Sequence, residues 1–170
     1  MRLLYYEISL HHNIYQKTCC FTGHRTIPES EYAEMQKSLE SELTQLINQG
    51  TRYFGAGGAL GFDTMSALSV LKLRKNFSLI RLILVLPCKD QTKGWSEKDI
   101  KIYNNILQNA DKVVYTSKHY YRGCMHKRNR HLVDNSQICI CYLTDSKGGT
   151  AYTVDYAKQK GLRIINLAQY

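Results

Sequence analysis

The stretch Arg52-Tyr53-Phe54-Gly55-Ala56-Gly57-Gly58-Ala59-Leu60-Gly61-Phe62-Asp63 joins a short apolar run, a glycine-rich turn and the start of a helix. The run from Arg52 to Gly55 has strand length, and the residues from about Phe62 to Lys75 read as a helix. A strand followed by a helix of ten or more residues feeds a parallel neighbour, because parallel strands need a crossover. Working outward, the same grammar recurs. Apolar or β-branched runs stand at Thr18 to Thr22, Ile80 to Leu86, Lys112 to Tyr115, Gln137 to Leu143 and Leu162 to Leu167. Helical stretches separate them. Tyr32, Met35, Leu39, Leu43, Leu46 and Ile47 recur at spacings of three and four, with Thr26 and Glu29 as the expected capping pair and Gly50 as the stop. A third helix opens at Ser96, an N-cap, with Trp95 expected to pack on Ile100 or to stack on a base. A fourth covers roughly Gly123 to Asp134, and a fifth Thr150 to Lys160, stopped by Gly161. The expected fold is α/β: a doubly wound, Rossmann-like, mostly parallel sheet of about six strands with helices on both faces.

The length of 170 residues fits one domain over 17–170. Residues 1–16 read as an N-terminal extension with Tyr5, Tyr6, Tyr15 and a His11-His12 pair, expected to add at most a short edge strand. With 44% hydrophobic and 22% charged residues the chain can build a core, so disorder and fibrous repeats are excluded. Its longest apolar run, Leu82 to Pro87, falls far short of the roughly 20 residues of a membrane span, so no membrane partner is expected. The six cysteines lack a Cys-x-x-Cys spacing, and no signal peptide is legible. They are expected to be reduced and buried as small hydrophobes, with no metal site, in a cytoplasmic protein.

In an open parallel sheet, ligands bind beyond the carboxyl ends of the strands, where the winding reverses. Thr22-Gly23-His24-Arg25 follows the first strand, the Gly57-Gly58-Ala59-Leu60-Gly61-Phe62-Asp63 loop the second, and Gly148-Gly149-Thr150 the fifth. Glycines at such turns let backbone N–H groups approach an anion, while the next helix directs its positive dipole end at it. Two such loops point to phosphate binding more strongly than one, since a single glycine turn is equally a structural device. Asp63 suits a helix cap or a ribose hydroxyl. Arg25 suits a phosphate clamp, and Arg128 beside Asn129 offers a forked donor and an amide for a phosphate and a base edge. His24 in its loop reads as structural. A Walker loop and the dinucleotide fingerprint are both absent, and no nucleophile–base pair is legible.

The combination of Thr22-Gly23-His24-Arg25, Gly57 to Asp63, Gln91 to Trp95 to Asp99 to Tyr103, Arg128-Asn129 with Val133-Asp134 and Ser136, and Gly148-Gly149-Thr150 to Thr153 resembles the YpsA family. That family belongs to the SMF/DprA–LOG (SLOG) superfamily, and the resemblance spans about residues 17 to 167. It implies a Rossmann-like fold binding a nucleotide or derivative, ADP-ribose or NAD-like, with roles in bacterial stress response or cell division. Cytokinin-activating relatives carry Pro-Gly-Gly-x-Gly-Thr-x-x-Glu; this chain has Lys147-Gly148-Gly149-Thr150-Ala151-Tyr152-Thr153-Val154-Asp155, which keeps only a carboxylate at the last position.

The expected function is therefore binding of a small anionic nucleotide ligand, as a sensor or regulator, at Gly23, His24, Arg25, Gly57, Gly58, Gly61, Asp63, Arg128, Asn129, Gly148, Gly149 and Thr150. No other cofactor is implied. The alternatives are an N-glycosidic hydrolase of nucleoside monophosphates, with Asp63 or Asp155 as acid or base, and a DprA-like DNA-binding protein; a homo-oligomer is compatible with either. The 23 basic against 14 acidic residues give a net charge of +9, and five of the basic ones lie between Lys118 and Arg130, which favours the small anion while leaving DNA as an alternative.

Overall fold

A computed structural model of the chain describes residues 17–168. The N-terminal extension, and the edge strand expected in it, lie outside the described residues. The elements run β1 (Thr18–Gly23), α1 (Glu29–Asn48), β2 (Tyr53–Ala56), α2 (Phe62–Leu73), β3 (Arg81–Leu86), a 3₁₀ turn (Lys89–Thr92), α3 (Glu97–Asn109), β4 (Lys112–Tyr115), α4 (Cys124–Asp134), β5 (Ile138–Tyr142), α5 (Gly148–Gln159) and β6 (Arg163–Asn166). The six strands form one sheet in the order β4-β3-β2-β1-β5-β6, and every adjacent pair is parallel. The expectation of a mostly parallel sheet thus sharpens to a fully parallel one.

Strand alternation sorts the core into two layers. Phe21, Phe54, Leu82, Leu84 and Ile140 join Leu39 and Leu43 of α1, Met65 and Val70 of α2 and Ile106 of α3 on one face. Cys20, Val85, Cys139 and Cys141 meet Leu132 and Val133 of α4 and Val154 and Ala157 of α5 on the other. Small side chains dominate the second face, which lets its helices lie close to the sheet. At Gly55 a Cβ would stand 2.8 Å from Leu132 Cδ2, so the strand passes beneath α4 only without a side chain.

The local signals behave unevenly. Ser96 caps α3 as expected: its Oγ accepts from the Asp99 N–H at 3.1 Å and donates to Asp99 Oδ2 at 2.6 Å. Thr26 does not cap α1. The N-cap is Pro28, which makes no side-chain capping bond, because the chain enters the helix two residues later than the Thr-x-x-Glu pattern implies. Tyr32, counted in the apolar stripe, is 43% exposed at the open first turn. Gly50 and Gly161 stop α1 and α5 with φ of 105° and 77°, the left-handed geometry a helix end demands. Trp95 meets Tyr103 edge to face, with ring centroids 5.6 Å apart, and so serves the core of α3. Helix α5 starts at Gly148, two residues before the expected Thr150, which places both glycines inside its first turn.

Candidate functional site

The chain leaves β1 toward β2 on one side and later returns to place β5 on the other, so the winding reverses between β1 and β5. A crevice of about 290 Å³ opens there, beyond the carboxyl ends of both strands. It is lined by Phe21, Thr22, Gly23, His24 and Arg25 from the end of β1, Ala59 and Asp63 from the glycine loop and α2, Met125, Arg128 and Asn129 from α4, and Gly149 and Thr150 from α5.

Its floor is a buried ion pair. Arg128 Nη1 donates to Asp63 Oδ2 at 3.0 Å, with both side chains 7% exposed. The Ala59 N–H donates to the same carboxylate oxygen at 3.3 Å. Gly57 makes room for the pair: a Cβ on it would fall 1.1 Å from Arg128 Nη1. The Nε of Arg128 is buried with no hydrogen-bond partner among the described residues. A buried N–H donor without a partner is an uncompensated polar group.

The other glycines hold the walls together. A Cβ on Gly23 would meet Phe62 Cβ at 2.5 Å, and one on Gly61 would meet the Arg25 backbone at 2.4 Å. This packs the end of β1 against the start of α2, where the Phe62 N–H donates to His24 O at 3.1 Å. Gly58, at φ 67°, is pinned by Gln91, whose Nε2 donates to its carbonyl at 2.5 Å. His24, also at the crevice, is held by the chain around it: its Nε2 accepts from the Thr144 N–H at 3.0 Å, and its ring stands edge-on to Tyr142. Asn129 commits one amide N–H to the protein: its Nδ2 donates to Thr153 Oγ1 at 2.7 Å, which in turn donates to Gly149 O at 2.8 Å. That relay ties α4 to the first turn of α5.

The N-terminus of α5 is open. Lys147 at the N-cap supplies no side-chain capping bond, and no acidic residue stands in the first turn. A Cβ on Gly149 would meet nothing within 4 Å, and its φ is not positive, so the surrounding protein does not require glycine there. Gly148, at φ 92°, turns the chain into the helix. Arg25 is exposed at the rim.

The sequence candidates therefore separate. Gly23, His24, Arg25, Asp63, Arg128, Asn129, Gly149 and Thr150 line the crevice, while Gly57, Gly58, Gly61 and Gly148 shape the backbone behind it. Asp155 stands apart: its side chain is 67% exposed and lies 4.0 Å from Lys158. Phe21, Thr22, Ala59 and Met125 complete the lining and are not among the sequence candidates; an apolar residue three before Arg128 on one helix face is the signal that points to Met125. Burial pushes the Cys19, Cys88 and Cys141 thiols up, Cys141 to about 12, and the Cys139 thiol is raised by its hydrogen bond with Cys20 and then by burial. Among the described residues no group of three or more His, Cys, Asp or Glu is placed to hold a metal ion, and no helix is long and apolar enough to cross a membrane.

Comparison with known proteins finds a match to the model of the YspA SLOG family over residues 20–166. A UPF0398 protein of Halalkalibacterium halodurans is 31% identical over 74% of this chain and 68% of its own length. The SPbeta prophage-derived protein YoqJ of Bacillus subtilis is 28% identical over 74% of this chain and 81% of its own. Among solved structures, DNA processing protein A (DprA) of Helicobacter pylori superposes with a TM-score of 0.67 at 18% identity, over 95% of this chain and 69% of that one. DprA of Streptococcus pneumoniae gives a TM-score of 0.63 at 12% identity, over 89% of this chain and only 50% of its own, so the chain spans half of that protein.

Proposed function

The chain belongs to the YspA SLOG family, and we propose that it binds the phosphate and ribose portion of a nucleotide derivative, ADP-ribose or NAD-like, in the crevice between β1 and β5. The observation that carries this reading is the uncapped first turn of α5 at Gly149, facing the buried Arg128 whose Nε lacks a partner. Helix N–H groups without a cap and an arginine with an unused donor both select an anion with several oxygens. Arg25 at the rim adds a second cation. Such a molecule fits a sensor or regulator, in stress response or cell division, better than an enzyme. Asp63 is engaged by Arg128 and Asp155 lies off the crevice, so neither carboxylate is poised for N-glycosidic hydrolysis.

Thermal unfolding with ADP-ribose, NAD and AMP tests the reading. A ligand at about 100 times its dissociation constant stabilises the fold by about 2.7 kcal/mol. Gly149→Ala discriminates, because a methyl there clashes with nothing in the protein. It leaves the unliganded midpoint unchanged or slightly raised and removes the ligand-induced shift. Absence of a shift with all three compounds overturns the proposal.

The fold likeness favours a second reading. DprA of H. pylori is described as binding single-stranded DNA, and a polynucleotide offers the same phosphates to the same crevice. In that case an oligonucleotide competes with ADP-ribose, and Gly149→Ala weakens both.

A further inference from the structure

Helix α4 has two working sides. Met125, Arg128 and Asn129 look into the crevice, and His126, Lys127, Arg130 and His131 project from the opposite side. Together with Tyr121 and with Tyr152 of α5, these four line an open groove of about 680 Å³ on the outer surface. We propose that this outer face of α4 and α5 is a platform for single-stranded nucleic acid, separate from the crevice.

Charge and aromatic surface are interleaved there. Arg130 Nε donates to Tyr152 Oη at 2.7 Å, and its guanidinium lies 5.7 Å from the Tyr152 ring centre and 5.5 Å from that of Tyr156. The His126 ring stands against Tyr152, with centroids 4.4 Å apart. Tyr120 and Tyr121, in the approach to α4, are 65% and 47% exposed. Among the described residues no ion pair engages Lys118, Arg122, Lys127 or Arg130. The groove's acidic residue, Asp134, is already held by Tyr156 Oη at 2.9 Å and Lys160 at 3.4 Å. The unpaired cations thus have no internal partner to neutralise them.

The chemistry selects the occupant. Unpaired cations along a helix that extends about 16 Å from Cys124 to Asp134 match a run of phosphates better than one small anion. Exposed tyrosine rings beside them stack on unpaired bases, which a duplex does not offer. A single strand satisfies both.

The test is fluorescence anisotropy of the full chain with a fluorescein-labelled 20-nucleotide oligo(dT), oligo(rU) of the same length and a 20-base-pair duplex as comparators. If Arg122, Lys127 and Arg130 each release a counterion, affinity falls about 20-fold between 50 and 200 mM salt. In Lys127→Ala/Arg130→Ala that fall shrinks to about 2.5-fold. Lys127→Glu/Arg130→Glu abolishes oligo(dT) binding, and Tyr121→Ala weakens it at least about 5-fold by loss of stacking. These side chains are exposed, so an unchanged thermal midpoint shows that the fold survives. Gly149→Ala leaves oligonucleotide binding intact, which separates this surface from the crevice and lets either reading fail alone. Oligo(rU) binding tighter than oligo(dT) upholds the platform with RNA as the ligand. No binding at 50 mM salt, equal affinity for the duplex, or indifference to the charge reversals overturns the proposal.

Discussion

At the scale of single residues, the Asp63–Arg128 pair governs the site. The two positions are 65 apart in sequence yet share a hydrogen bond in a place closed to solvent. Removing one partner from such a pair leaves a buried charge without compensation, at about 3–5 kcal/mol. Arg128→Met is therefore expected to lower the stability measured by urea unfolding by that amount. Asp63→Asn/Arg128→Met, with both charges gone and the Ala59 N–H still served by the amide oxygen, recovers most of the loss. Gly23 is constrained by volume. With Phe62 2.5 Å from the position of a Cβ, Gly23→Ala forces the end of β1 away from α2 and costs about 1–3 kcal/mol in the same assay.

At the scale of elements, the caps give a paired prediction. Ser96 holds the Asp99 N–H, so Ser96→Ala costs about 1 kcal/mol. Thr26 is exposed and lies outside α1, so Thr26→Ala stays within about 0.5 kcal/mol of the parent. Helix α3 also carries a pH signature. Burial, with smaller contributions from Tyr115 and Cys88, pushes the Tyr103 phenol up to about 12 from its ordinary value of 10. A group whose folded value is raised adds stability that is complete below its unfolded value and is lost as pH climbs to the folded one. Unfolding free energy is therefore expected to decline between pH 10 and pH 12, and Tyr103→Phe makes that decline shallower. Tyr142, raised by burial and by Glu31, contributes in the same direction.

At the scale of the whole molecule, all six cysteines are free and buried, four of them in β1 and β5 at the middle of the sheet. With the thiols buried, a thiol reagent is expected to react slowly with the native protein and rapidly in urea, and the melting midpoint to be indifferent to reductant. The alternation of strands and helices was legible because the central strands, short and covered on both faces, read as apolar runs, and α1 carries a stripe of period 3.6; the strand order was not. The glycine loops were legible because glycines cluster where the chain passes too close for a Cβ, as at Gly23, Gly57 and Gly61. Thr26 misled because a capping pattern is short and recurs where no helix begins. The first turn of α5 was set too late because Gly148 and Gly149 carry a weak helix signal; their place in it follows from the tie through Asn129 and Thr153. The sequence by itself determined the α/β grammar, the loops that meet at one edge and the basic character of α4. Only the tertiary structure decided that Arg128 turns inward to Asp63 while Arg130 turns outward to Tyr152. The reason is geometric: two residues apart on a helix means opposite sides, and which side faces a crevice depends on a parallel sheet that joins strands distant in the chain.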